Sequence, residues 1–182
     1  MAKSKSAYSI PTRKQKSDTH IFVVWVDNEA GVLARVVGLF SGRGYNIESL
    51  AVAEVDAVKN ISRITIVTTG TPQVIDQIKL QLKKLVPVHK VADFKREDKD
   101  VIFKEMALFK IVGKKNKMEK CINACRKFNP VILDKTNTSA VIQITALRRE
   151  IDIMNKKLKP LGLVSTSRTG AVAMTRGAKI FN

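Results

Sequence analysis

Ile21-Phe-Val-Val-Trp-Val26, followed by Asp27-Asn-Glu-Ala-Gly31 and then Val32-Leu-Ala-Arg-Val-Val-Gly-Leu-Phe40, decides the fold of this 182-residue chain. The first run is β-branched and aromatic, which reads as a buried strand. The second has turn and helix-start chemistry. In the third, Val32, Leu33, Val36, Val37 and Phe40 share one face of a helix. Gly42 and Gly44 then end the helix, because glycine reaches left-handed backbone angles at little cost. A strand that runs directly into an amphipathic helix opens a sandwich of helices on a sheet.

Working outward, Tyr45 to Val55 and Ile61 to Thr69 read as two strands joined by a hairpin over Asp56 to Asn60. Pro72 opens a second helix with Val74, Ile75, Ile78, Leu82 and Leu85 inward. Val86 to Phe94 is a closing strand. After the charged run Lys95-Arg-Glu-Asp-Lys-Asp100 the order repeats. Phe103 to Val112 is a strand and Lys114 to Phe128 a helix with Met118, Ile122 and Cys125 inward. Val131 to Leu133 and Ser139 to Thr145 are strands, Leu147 to Leu158 a helix, and Leu163 to Thr175 a strand interrupted at Gly170. The expected fold class is α+β: two consecutive ferredoxin-like βαββαβ units. The expected divisions are a basic arm over 1–17, a first unit over 18–95, a linker over 96–102 and a second unit over 103–182.

Composition narrows the function classes. Hydrophobic residues make up 45% of the chain and aromatics 5%, so the core is aliphatic. No apolar run is long enough to span a bilayer. The net charge of +17 is unevenly placed. Residues 1–17 hold five Lys/Arg and no acid, residues 18–100 hold eleven of each sign, and residues 101–182 hold seventeen basic and five acidic. A neutral centre between basic flanks implies a division of labour. The first 17 residues lack the apolar centre of a secretory signal and the Arg-rich amphipathic pattern of an organelle transit peptide, so a disordered basic arm fits them better. Cys121 and Cys125 sit four apart in a helix, where they read as small apolar residues in a reducing compartment.

The stretch from Asp27 to Leu50 also suggests a binding site. Backbone N–H groups at a helix start lack intrahelical partners and seat a carboxylate well. Gly31 leaves room for close approach, and Asn28 either caps the helix or offers its amide to a ligand. Gly44-Tyr-Asn-Ile47 lies at the far end of the same helix, about 20 Å away by helix geometry. A small ligand touches both segments only when a second chain supplies the second one. The same residues also fit a purely structural reading, with a cap, a close-packing glycine, a helix stop and a turn. His20 and His89, the only histidines, have no sequence-local acidic or nucleophilic partner that would suggest a dyad, and no phosphate loop, metal-ligand pair or dinucleotide fingerprint appears.

Two adjoining runs carry a resemblance: Asn28-Glu-Ala-Gly-Val-Leu-Ala-Arg35 and Val36-Val-Gly-Leu-Phe-Ser-Gly-Arg-Gly-Tyr-Asn-Ile-Glu-Ser-Leu50. They resemble the signature of the ACT-domain small (regulatory) subunits of acetolactate synthase. Ser62 to Val67, Val74 to Ile78, Gln81 to Leu85, Ser167 to Gly170 and Thr175 to Gly177 are similar to further parts of that family's pattern. The resemblance is loose from Lys114 to Pro160.

It implies that the first unit is an ACT domain binding a branched-chain amino acid, usually valine, between two copies. Asn28, Gly31 and nearby amides would hold the ligand's charged groups. Val32 and Leu33 are candidates for an apolar pocket, and Asn46 and Ile47 of the other copy would close the site. It further implies a homodimer, a cytoplasmic regulator of a catalytic large subunit, and feedback control of valine, isoleucine and leucine synthesis. No catalytic residue, metal or cofactor is expected on this chain; thiamine diphosphate, Mg and FAD would belong to the large subunit.

A basic nucleic-acid-binding module and a free-standing amino-acid sensor are the competing readings. Sheet-face RNA readers stack bases on strand aromatics, and Ile61 to Val67 and Ser139 to Thr145 contain none.

Overall fold

The computed structural model describes residues 16–96, 98–178 and 180. The expected arm over 1–17 therefore lies, up to residue 15, outside the described residues.

The first unit consists of β1 (Asp18–Asp27), α1 (Val32–Ser41), β2 (Ser49–Asp56), β3 (Ile61–Gly70), α2 (Pro72–Leu82) and β4 (Val88–Lys95). Its antiparallel sheet has the order β2-β3-β1-β4, which leaves β2 and β4 as edges. The second unit consists of β5 (Val101–Val112), α3 (Lys115–Cys125), β6 (Val131–Lys135), β7 (Ser139–Ala146), α4 (Arg148–Leu158), β8 (Leu163–Arg168) and β9 (Val172–Thr175). Its order is β6-β7-β5-β8, the same topology, with β9 added against β5. Among the described residues, no helix is long and apolar enough to cross a membrane.

Each helical layer follows from its sequence. Val32, Val36, Leu39 and Phe40 are the buried residues of α1, and Ile75, Ile78 and Leu82 those of α2. They meet Phe22, Val24, Ile64 and Ile66 from one face of the sheet. In the second unit Met118, Cys121 and Cys125 of α3 and Ile151, Met154 and Leu158 of α4 cover Phe109, Ile111, Ile142 and Ile144. Both cysteines are free and buried, as small core residues. Removal from water pushes both thiols up, Cys125 to about 11, with Cys121 next to it adding to its shift.

A third core joins the units. Ile21, Val23 and Val67, on the opposite face of the first sheet, pack with Val101, Phe103, Ala171 and Ala173. Strand β5 makes this possible. Its first four residues pair with β9, while Glu105 to Val112 pair with β7. Arg63 of β3 fixes the same boundary: it lies 5.3 Å over the Trp25 ring and donates to the Ala173 carbonyl.

Three expectations change. Strand β2 begins at Ser49, so Tyr45 to Glu48 form a loop in which Tyr45 and Ile47 pack against the helical core. The closing strand is two strands with different neighbours, divided at Thr169–Ala171. The expected linker over 96–102 is shorter, because Val101 and Ile102 already belong to β5 and Val101 is buried.

Candidate functional site

The β1–α1 loop is held by its own unit. The Asn28 N–H donates to the Asn60 carbonyl at 2.7 Å, and the Ser62 hydroxyl donates to Asn28 Oδ1 at 2.9 Å. Asn28 therefore does not cap α1. Gly31 occupies the N-cap position with φ +83°, a left-handed angle that favours glycine, and no side chain caps the helix. The space beside Gly31 is open: a β-carbon added there would meet nothing within 4 Å. The N–H groups of Gly31, Leu33 and Ala34 have no acceptor among the described residues. Ser62 occupies the side-chain oxygen of the exposed Asn28, and its amide NH₂ has no acceptor among the described residues. The loop is thus an exposed cluster of hydrogen-bond donors at the positive end of a helix, suited to a small carboxylate.

The second segment lies beyond α1, whose ten residues span about 15 Å. Gly44 has φ +67° and turns the chain. Tyr45 packs edge-on to Phe40 with ring centroids 6.2 Å apart, and its hydroxyl donates to Gln77 at 3.2 Å. The Asn46 backbone carbonyl accepts from the buried Thr68 hydroxyl at 2.7 Å, and the residue itself is exposed. Ile47 is half-buried against the core. Within one copy the Asn28–Gly31 loop and the Asn46–Ile47 loop are at opposite ends of α1 and do not meet. Val32 is 3% exposed and belongs to the core, so it offers no pocket wall; Leu33, 41% exposed, remains available.

Strand β2 beside the second loop is an open edge. Val52 and Val55 are exposed on it, and they border a cavity of about 610 Å³ that Val172 and Met174 of β9 also line.

Sequence reasoning missed the histidine partners. His20 Nδ1 lies 2.7 Å from Asp93 and His89 Nε2 lies 2.6 Å from Asp27. Each pair ties β1 to β4, and the antiparallel register that brings them together spans more than sixty residues. It also missed Ser62, which only strand pairing places beside Asn28.

The βαββαβ first unit, with its polar loops at either end of α1 and its free edge strand, falls in the class of ACT-type regulatory domains. A family model described as the small-subunit-like ACT domain of acetohydroxyacid synthase matches residues 22–90, and one described as the small subunit of acetolactate synthase matches residues 104–177. The chain belongs to the acetolactate synthase small-subunit family, and its role is that of a regulatory subunit.

It is 37% identical over 169 residues to the acetolactate synthase small subunit of Aquifex aeolicus, covering 92% of this chain and 86% of that one. It is 34% identical over 161 residues to that of Mycobacterium bovis, covering 88% and 94% respectively. The crystal structure of the small subunit from Thermotoga maritima superposes with a TM-score of 0.79 at 32% identity, covering 88% of this chain and 99% of that chain.

Proposed function

We propose that the chain binds a branched-chain amino acid, valine foremost, at sites shared by two copies, and thereby sets the turnover of the acetolactate synthase catalytic subunit. The observation that carries this reading is the donor cluster at Gly31, Leu33 and Ala34 beside open space, set a full helix length from Asn46 and Ile47. The donors and the Asn28 amide suit the ligand's carboxylate. Leu33 and the partner copy's second loop suit its aliphatic side chain. The open β2 edge, with Val52 and Val55 exposed, supplies the surface for a homodimer through the first unit.

In this reading residues 18–95 sense the amino acid, residues 103–182 form the second unit of the small subunit, and the complex works in the cytoplasm. The condensation of two pyruvates, or of pyruvate with 2-oxobutyrate, belongs to the catalytic subunit with its thiamine diphosphate, Mg and FAD. Valine lowers turnover because it binds two states of the assembly with unequal affinity; a tenfold inequality corresponds to about 1.4 kcal/mol. A nucleic-acid reading is disfavoured, because the open face that a first-unit sheet would offer to bases is covered by Val101, Phe103 and Ala173.

The test is titration of purified catalytic subunit with this chain, with and without valine. Turnover should rise on addition of the chain and fall on addition of valine. Turnover unchanged in both arms would overturn the reading.

A further inference from the structure

We infer that Arg148 is the positioning residue through which the second unit senses the effector loop. This rests on the effector reading above, since it concerns how occupancy at Asn46 and Ile47 is passed on.

Glu48 and Ser49 follow that loop directly, and both units grip them. From the first unit, the Glu48 N–H donates to the Val67 carbonyl at 2.8 Å, and Glu48 Oε1 accepts from the Thr69 hydroxyl at 2.5 Å. From the second unit, Arg148 Nη1 donates to the Glu48 carbonyl at 3.2 Å and stands 4.0 Å from its carboxylate. One residue on, Ser49 Oγ accepts from the Ala171 N–H at 3.3 Å. Gly170 lies so close that an added β-carbon would stand 2.8 Å from Ser49 Oγ and 3.1 Å from the Leu50 carbonyl oxygen.

The two grips of the second unit are tied to each other. Arg148 and Asp152 are one turn apart on α4. Asp152 accepts from Arg168 Nη1 at 2.7 Å, and Arg168 immediately precedes the Thr169–Ala171 link. The start of α4 and the β8–β9 link therefore hold Glu48 and Ser49 as one body.

The geometry leaves little slack. A 3.2 Å hydrogen bond lengthened by about 1 Å is no longer one. On the other side, Gly170 admits no side chain without displacing Ser49 or the Leu50 carbonyl. A rearrangement of Asn46–Ile47 on closing over a ligand is thus not absorbed within β2; it shifts α4 and the β8–β9 link. Two discrete packings at such a boundary are what a coupling between sites requires.

The experiment compares wild type, Arg148→Ala and Arg148→Lys, each as full chain. It measures activation of the catalytic subunit without valine, the valine inhibition curve, and valine affinity of the chain by calorimetry. Arg148→Ala should bind valine within about threefold of wild type and still activate, while the half-inhibitory valine concentration rises at least about fivefold. Arg148→Lys, which keeps a cation beside Glu48, should recover part of the response. An Arg148→Ala inhibition curve that superimposes on wild type overturns the inference. So does a parallel loss of valine affinity, activation and thermal stability, which marks a structural role. If wild type itself binds no valine, the effector reading fails and takes this inference with it.

Discussion

Glu105 is 3% exposed, and both of its carboxylate oxygens are taken by Arg168, whose Nε lies at 2.6 Å and Nη2 at 2.9 Å. A buried bidentate pair is costly to break from one side, because the remaining charge is stranded. Arg168→Ala, which leaves the buried Glu105 carboxylate without its partner, should destabilise the protein by about 3–5 kcal/mol. A joint Glu105→Leu, Arg168→Met replacement should recover most of that loss. Urea unfolding of the three proteins checks both statements. The guanidinium's pKa is raised, first by its hydrogen bonds to Glu105. Its stabilising contribution is therefore fully present through neutral and mildly alkaline pH.

The thiols give a pH signature. Cys125 titrates near 11 in the folded chain against an ordinary 9.0, chiefly because burial disfavours the thiolate. A raised folded value means that its contribution is fully present below pH 9 and is lost as pH climbs towards 11. Stability of wild type should therefore fall more steeply over that window than stability of Cys125→Ala. Native protein should also resist a disulfide-exchange reagent at pH 8 until denaturant is added. Rapid labelling of either cysteine in the native state would contradict their burial.

The two loops of the proposed effector site should separate binding from folding. Asn46 is exposed and its side chain has no partner among the described residues. Asn46→Ala should change stability by less than about 0.5 kcal/mol, yet weaken valine binding about tenfold. Ser62→Ala, one hydrogen bond removed from the proposed ligand, releases Asn28 and should weaken binding less. Calorimetry beside thermal melting distinguishes the two quantities.

The β2 edge should control assembly. Val52→Lys places a charge on an exposed edge strand, a device that discourages edge pairing. For the homodimer proposed above, sedimentation should shift from dimer towards monomer, with valine affinity falling in step. Tight valine binding by a demonstrably monomeric variant would refute the shared site.

Much of this was legible in the sequence, and the exceptions share one cause. Helix stripes and β-branched runs report local periodicity, so the two βαββαβ orders could be read directly. Tyr45 and Ile47 alternate as a strand does, yet they point into the helical core from a loop that follows left-handed Gly44. Periodicity records which side a residue faces and not whether a ladder partner exists. Asn28 reads as a cap because it precedes a helix, but Ser62, thirty-four positions away, claims its oxygen. Val101 and Ile102 follow a charged run and so read as linker, although their partner strand arrives only at Val172–Thr175. In each case the deciding neighbour is remote along the chain.

Strand β5 has a wider implication. Its opening residues seal the outer face of the first sheet, while Ala107, Phe109 and Ile111 fill the second helical core. Cutting the chain after Lys95 would strip that seal and bare Ile21, Val23 and Val67 to water. A fragment of that kind would aggregate rather than report on the sensor alone. The first unit therefore cannot be moved onto another protein unless a replacement lid for its sheet comes with it.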